Sequence, residues 1–93
     1  MAALTLLAAC GGRKPGEAEQ HELYRTVQEG EARQDAASSS PYVTPLETAR
    51  AICDAARDVC KAAKRSREAD AKERCQRAQS RCDAAMAAAT GGG

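Results

Sequence analysis

The residues of this chain best suited to chemistry are its five cysteines, four of which form two pairs with identical spacing. Cys53 and Cys60 are seven residues apart, and so are Cys75 and Cys82. Seven residues make almost two turns of an α-helix, so each pair is predicted to lie on one helix face. Thiols arranged in this way could form disulfides, bind a thiophilic metal or exchange disulfides with another molecule.

Disulfide geometry decides between the three ways of pairing these four cysteines. Bonding within each helix is excluded, because seven residues of helix separate the Cα atoms by roughly 10 Å. Pairing Cys53 with Cys75 would need parallel helices, and the segment between them is too short for a return crossing. The nested pairing remains, in which Cys53 bonds Cys82 and Cys60 bonds Cys75. Both bridges have an index sum of 135, as facing residues of two antiparallel helices should.

Metal binding and redox exchange are the competing interpretations of the same cysteines. Four thiolates between two helices could hold Cu(I) or Zn(II), but the spacing places the sulfurs in two layers about 10 Å apart. Two-coordinate Cu(I) sites between facing thiols are geometrically easier and need a reducing compartment. Redox exchange is disfavoured, because the cysteines do not form a C-x-x-C motif. We therefore predict disulfides, with no metal and no other cofactor.

Local signals place the first of the two cysteine-bearing helices at about 45–65. Thr44 is suited to cap this helix by accepting a hydrogen bond from the amide of Glu47. Pro45 is suited to the first helical position, where a missing N–H costs nothing. Alanine and arginine, both strong helix formers, are frequent along the segment.

The second helix is predicted at about 70–89, after a turn over 66–69. Asp70 begins the sequence Asp-Ala-Lys-Glu, which has the form of a capping box. Ser66 is the alternative cap. Gly91 is free to adopt the left-handed conformation that ends a helix, and the tail 91–93 is predicted to be flexible.

A seam of small residues continues the cysteine spacing along both helices. Its members recur at alternating intervals of three and four, which is a heptad pattern. Alanine lets two helices approach closely, as a disulfide between them requires. The fold class is therefore predicted as all-α, with an antiparallel helical hairpin over 44–90. The seams are Leu46, Ala49, Cys53, Ala56, Cys60 and Ala63, and Ala71, Cys75, Ala78, Cys82, Ala85 and Ala89.

Composition limits the rest of the molecule. The 93 residues allow one small domain, and the absence of Trp and Phe excludes a sizeable core, so disulfides are expected as staples. The net charge of +1 implies no nucleic-acid partner. Six acids and four bases lie over 10–45, and seven acids and ten bases from 46 onward. We interpret this small asymmetry as a solvated surface.

The fifth cysteine ends an apolar run with the sequence Leu-Ala-Ala-Cys over 7–10. This resembles the lipobox of bacterial lipoprotein signal peptides, although no Lys or Arg precedes the run and the run is short. The resemblance implies a signal peptide over 1–9, cleavage before Cys10 and lipidation of its thiol, which would attach the chain to a membrane. Because Gly11 rather than Asp follows, the resemblance also implies an outer membrane, facing the periplasm, in a two-membrane host.

The hairpin resembles, in layout only, the twin-cysteine helical hairpins of the mitochondrial intermembrane space. Those proteins also close paired cysteine motifs with nested bridges. The spacing here is C-x6-C twice rather than the usual x9 or x3. The resemblance implies the fold and no activity.

Residues 10–43 are predicted to be a lipid-anchored tether that is mostly disordered. Leu23 and Val27 are four apart, which favours a short helix over 18–29. Gly30 is expected to interrupt it. The segment has too little apolar surface to hold a helix alone.

Ile52, Val59 and Met86 lie just beside the seams and form an apolar flank. One interpretation buries them in the hairpin groove, under the segment 23–27. The other makes them a docking face for another helix or a second copy of the chain. Neither is excluded by the sequence.

The residues lack a catalytic set, with no Ser/His/Asp combination and no glycine-rich phosphate loop. We therefore predict a non-enzymatic, lipid-anchored protein of the cell envelope with a structural or protein-interaction role. Its partner would bind through the hairpin, or the hairpin would self-associate. A thiolate protein that binds Cu(I) or Zn is the alternative.

Overall fold

The computed structural model describes residues 14–40 and 43–91 of the chain, which form three α-helices. Helix α1 spans Glu17–Ser39, α2 spans Pro45–Ser66 and α3 spans Ala69–Ala89. Helices α2 and α3 are the predicted hairpin, and α1 packs along one side of it. No strand occurs in the described residues, so the all-α fold class is confirmed.

The direction of α1 follows from its hydrogen bonds to α2. Near the start of α1, the Gln20 side-chain amide donates to the carbonyl of Ser66 at 3.0 Å. Near its end, the Gln34 amide donates to the carbonyl of Ile52, also at 3.0 Å. Helix α1 is therefore antiparallel to α2 and parallel to α3, which gives an up-down-up bundle.

The start of α2 confirms the predicted cap. Thr44 has extended backbone angles, and its Oγ1 accepts from the Glu47 amide at 3.2 Å. Pro45 occupies the first turn, where its missing N–H leaves no bond unmade. The helix ends at Ser66, one residue beyond the predicted limit.

The turn between α2 and α3 is tighter than predicted, and the capping box at Asp70 is wrong. Arg67 takes a left-handed conformation with φ 64°, and Glu68 is the N-cap of α3 without a side-chain cap bond. The Ser66 hydroxyl instead accepts from the Glu68 amide at 3.2 Å. Two residues thus reverse the chain, so α3 begins at Ala69 and encloses Asp70. At its other end, Gly91 has the predicted left-handed conformation, with φ 78°.

Helix α1 corrects the prediction of a mostly disordered tether with a short helix over 18–29. Residues 17–39 form one helix that continues through Gly30. The apolar surface of this segment is too small to hold a helix that stands alone, and α1 does not stand alone. In the fold, Val27, Gly30 and Gln34 are buried against the hairpin. Packing against a partner supplies most of the stability of a helix in a protein, and it does so here.

The serines at the end of α1 lie in the segment predicted to be a mostly disordered tether, and in the structure they belong to the helix. The hydroxyl of Ser38 donates to the Gln34 carbonyl at 2.9 Å, and that of Ser39 donates to the Asp35 carbonyl at 2.9 Å. Each hydroxyl bonds the carbonyl four residues earlier, a back-bond that gives the serine side chain a partner within the helix.

The core is narrow and built mainly from small side chains. Val27 of α1 lies with Ile52 and Val59 of α2 at its centre, and Leu23 packs against its edge. The remaining buried members are Ala62 and three residues of the seams, Ala56, Ala78 and Cys82. The buried members are Val27, Ile52, Ala56, Val59, Ala62, Ala78 and Cys82.

Gly30 sets how closely α1 approaches α2. A Cβ placed on this residue would overlap Cγ2 of Val59 and lie 3.2 Å from the carbonyl oxygen of Ala55. Real Cβ atoms do not tolerate the first contact, so the two helices touch here only because residue 30 has no side chain.

Gln34 is the one polar side chain that joins all three helices in the described structure. It is fully buried, and its Nε2 donates to the carbonyls of Ile52 in α2 and Ala78 in α3, at 3.0 Å each. Its Oε1 is buried without a hydrogen-bond partner. The arrangement fixes the position of α1, while the unpartnered oxygen offsets part of the gain.

We expect Gln34→Ala to lower the free energy of unfolding by about 1–2 kcal/mol, because it removes both hydrogen bonds and leaves a cavity. Gln34→Met is expected to stay within about 1 kcal/mol of the native chain, since it keeps the volume and removes the unpartnered oxygen. Urea unfolding followed by circular dichroism measures both. A methionine variant as unstable as the alanine variant would show that the two hydrogen bonds, not the volume, hold α1.

Candidate functional site

The two predicted disulfides are confirmed. Cys53 bonds Cys82 and Cys60 bonds Cys75, with a Cα–Cα distance of 4.6 Å in each bridge. Both distances lie at the short end of the range for disulfides, so the helix axes are close along this seam. Ala56, midway between the two bridges on α2, is 1 % exposed. The alanine seam thus allows the close approach of α2 and α3 that the two disulfides require.

The four hairpin sulfurs are joined in two disulfides. In this form of the protein the hairpin therefore has no thiolate that could bind Cu(I) or Zn(II). Among the described residues, no group of three or more His, Cys, Asp and Glu side chains is placed to hold a metal ion.

A groove runs along the hairpin on the side of the seam away from α1, and we call it the disulfide groove. Its cavity volume is about 430 Å³, and all its lining residues belong to α2 and α3. The partly buried Cys53 and Cys60 and the buried Cys82 form its floor. Exposed side chains form its rim: Arg57, Lys61, Lys64 and Gln79.

Three cations on α2 dominate the charge of this rim. Arg57 lies four residues after Cys53, and Lys64 lies four residues after Cys60, which places each cation beside a bridge on the helix surface. Arg57 has an ion pair 3.3 Å from Asp54. Lys61 and Lys64 have no ion-pair partner among the described residues. In the part of the chain that the structure describes, no acidic residue lines the groove.

The cations on the opposite side of the hairpin are, by contrast, matched by α1. Helix α1 carries six acids and two bases, and it packs on a hairpin whose bases exceed its acids. The charge asymmetry between the two halves of the chain was predicted to be a solvated surface. In the fold, these charges form ion pairs between α1 and the hairpin. The cross-helix pairs are Glu19–Arg65, Glu31–Arg74 and Asp35–Arg81, each at 2.9 Å, and the reversed pair Arg33–Asp58 at 2.7 Å.

Tyr24 adds a polar contact between α1 and the start of α3. Its hydroxyl donates to Oδ2 of Asp70 at 2.8 Å, and the guanidinium of Arg74 lies 4.8 Å from the centre of its ring. The hydrogen bond to the carboxylate raises the pKa of Tyr24 above its ordinary value of 10.0, because it stabilises the protonated phenol. Exposed contacts of this kind position a helix more than they stabilise it.

The predicted flank residues do not share one surface. Ile52 and Val59 are 4 % and 0 % exposed, because α1 covers them as the first interpretation expected. They therefore do not form a free docking face. Met86 is 37 % exposed. Cys10, the predicted lipidation site, lies outside the described residues, as do the signal peptide 1–9 and the last two glycines.

The cations of the groove were not predicted, because the excess of bases from residue 46 onward was interpreted as a solvated surface. A usable signal was present in the spacing. Cations follow Cys53 and Cys60 at four residues, whereas neutral residues follow Cys75 and Cys82 at the same interval. This difference in spacing places the cations on the α2 edge of the groove and neutral residues on the α3 edge.

No helix in the described parts of the chain has the length and apolar character needed to cross a membrane. The chain matches no protein-family model, no curated protein and no solved structure.

Proposed function

We propose that this chain is a lipid-anchored protein of the cell envelope, whose three-helix unit binds another protein and performs no catalysis. The supporting observation is the division of the five cysteines. Four form the two bridges of the hairpin, and the fifth ends the lipobox-like sequence over 7–10. A cysteine outside the disulfides needs another role, and lipidation is the one that its neighbours resemble.

The disulfides support a location outside the cytoplasm. Bridges of this kind persist in oxidising compartments such as the bacterial periplasm and the cell surface. The outer membrane, facing the periplasm, is the location that we propose, on the family rule for the residue after the lipidated cysteine. One lipidated amino terminus would attach the folded unit to that surface.

The interaction role is supported by the surface of the hairpin. The side facing α1 is covered, and the other side keeps a groove with an apolar floor and two lysines that have no ion pair among the described residues. A monomer gains nothing in stability from such a surface, whereas a binding protein can use it.

Expression of the full chain in a two-membrane bacterium tests the anchor. We expect membrane-extracted protein to start at Cys10 and to carry the mass of a lipid group and an acylated amino terminus. Cys10→Ala should lack that mass and leave the detergent-soluble membrane fraction. The control is Cys60→Ala/Cys75→Ala, which loses two cysteines and should keep the lipid.

The same mass measurement distinguishes the disulfide-bonded hairpin from the metal-binding alternative. Alkylation without reductant should leave the four hairpin cysteines unmodified. Free hairpin thiols together with bound Cu or Zn on purification would replace the disulfide interpretation with the thiolate one. Unmodified Cys10 in membrane-expressed protein would refute the lipid anchor while leaving the hairpin unaffected.

A further inference from the structure

We propose that the disulfide groove binds an acidic amphipathic helix of a protein partner, which would lie on the hairpin opposite α1. This inference rests on the interaction role proposed above and specifies its surface and its partner. Its distinguishing features are an apolar floor formed by disulfide-bonded cysteines and a row of three cations, two of which, Lys61 and Lys64, have no ion pair among the described residues.

The molecule itself shows how the hairpin binds an acidic helix. On the occupied side, α1 covers an apolar strip centred on Val59. Acids of α1 pair with bases beside that strip, such as Glu19 with Arg65, where two hydrogen bonds of 2.9 and 3.1 Å join the carboxylate to the guanidinium. An apolar strip flanked by cations is therefore a surface that an acidic helix can fill.

The disulfide groove repeats this layout on the side of the hairpin opposite α1. The floor continues beyond the cysteines, because Leu46 lies seven residues before Cys53, and Met86 lies seven after Gln79, on the same helix faces. Leu46 and Met86 are two of the three exposed large hydrophobic residues in the described chain, at 40 % and 37 %. The apolar floor thus runs from the open end of the hairpin towards the turn.

The cations of the rim determine which charges the partner should carry and at what spacing. Arg57, Lys61 and Lys64 follow one another at intervals of four and three, as residues on one helix face do. A partner with Glu or Asp at the same intervals could place a carboxylate against each cation. Because Lys61 and Lys64 lack partners among the described residues, such pairing would break no ion pair of theirs.

The shape of the surface favours a helix over a lipid bilayer. The cysteines are recessed between two helices, while the cations stand at the edge, so the apolar area is concave. A flat bilayer would contact the rim and leave the floor empty. From Leu46 to Lys64 the groove extends over roughly 27 Å, which corresponds to about five turns of a docked helix.

A designed peptide tests the groove in the full chain with its disulfides intact. The probe is an amphipathic helix about three heptads long, with alanine and leucine at the a and d positions and glutamate at e and g. Its control has glutamine in place of every glutamate. Fluorescence anisotropy measures affinity, and amide chemical shifts locate the contact.

We expect saturable binding of the acidic peptide, with shifts concentrated at the groove and affinity falling as salt is added. Lys61→Gln/Lys64→Gln should weaken binding about fivefold, because two exposed ion pairs are lost. The matched control, Arg25→Gln/Arg77→Gln, also removes two bases that have no ion pair among the described residues. It should bind like the native chain.

Equal affinity for the glutamate and glutamine peptides would overturn the proposal, as would shifts centred on α1 or the absence of saturable binding. So would binding to vesicles rich in anionic lipid, lost in the Lys61/Lys64 variant, with no binding of the peptide, since this would assign the surface to lipid. A failure of the groove proposal would not decide whether the proposed function is correct. Lipid on Cys10 and envelope location are measured separately, and they can hold when the groove proposal fails.

Discussion

Replacing all four hairpin cysteines by alanine is expected to remove roughly 5–6 kcal/mol from the free energy of unfolding. The bridges close loops with sequence separations of 15 and 29 residues, and a 15-residue loop alone is worth about 3 kcal/mol in the chain-entropy model. Small domains have only about 5–15 kcal/mol in total. With a core made mainly of alanines, the variant should lose most of its helicity at room temperature.

Removing one bridge should cost about half as much. Because the bridges are nested, each shortens the loop that the other closes, so Cys60→Ala/Cys75→Ala should lose about 2–3 kcal/mol and still unfold cooperatively. Urea unfolding followed by circular dichroism measures these differences. Alanine is the suitable replacement, since it continues the seam and leaves no polar group behind.

Reductant provides the internal control for this prediction. The reduced native chain should unfold like the four-alanine variant, and reductant should leave that variant unchanged. Cys10→Ser, which keeps both bridges, should match the native chain in soluble form. A four-alanine variant whose stability lies within about 1 kcal/mol of the native value would show that packing, not the bridges, holds the hairpin.

Gly30→Ala is expected to lower the free energy of unfolding by about 2–3 kcal/mol, although alanine is the better helix former by about 1 kcal/mol. The added methyl group would overlap Val59 and press on the carbonyl of Ala55. Backbone cannot yield as a flexible side chain can, so α1 must move away from α2. The expected result is a destabilised chain in which Tyr24 and Gln34 lose their contacts with the hairpin.

Gly16→Ala is the matched control, because a Cβ there meets nothing within 4 Å. It should change stability by less than about 1 kcal/mol. Val59→Ala tests the cause, since it removes the methyl groups that residue 30 would strike. The double variant Gly30→Ala/Val59→Ala should be more stable than the sum of the two single effects by about 1 kcal/mol. Additive effects would mean that the Val59 contact is not the source of the loss.

The hairpin could be predicted in detail because its signals are local or follow from spacing alone. Thr44 and Pro45 mark a helix start through contacts within one turn. The cysteine spacing fixes both bridges and the turn through the geometry of a helix. The cap at Asp70 failed because the alternative, a left-handed Arg67 with a bond to Ser66, costs little and shortens the turn by two residues.

Helix α1 could not be predicted in the same way, because its stability comes from residues far along the chain. Its one fully buried large aliphatic side chain is Val27. What holds it besides is the close approach at Gly30, the bonds of Gln34 and ion pairs with the hairpin. A glycine in a helix interior is a destabilising signal locally, and only the position of Val59 turns it into a packing requirement.

The candidate site was predictable in its floor but not in its rim. The bridges follow from spacing, whereas the role of Arg57, Lys61 and Lys64 depends on which side of the hairpin α1 occupies. The sequence predicted a flank of Ile52, Val59 and Met86 and left open what covers it. Once α1 is placed, the first two are buried and the exposed surface is the opposite one.

The two bonds of Gln34 also determine when the fold can be completed. Its amide needs the carbonyl of Ile52 in α2 and that of Ala78 in α3, so α1 has no complete binding surface until residue 78 has been synthesised. The hairpin, by contrast, closes between neighbouring segments. The part of the folded unit that emerges first from the ribosome therefore completes its hydrogen bonds only after α3 has been made.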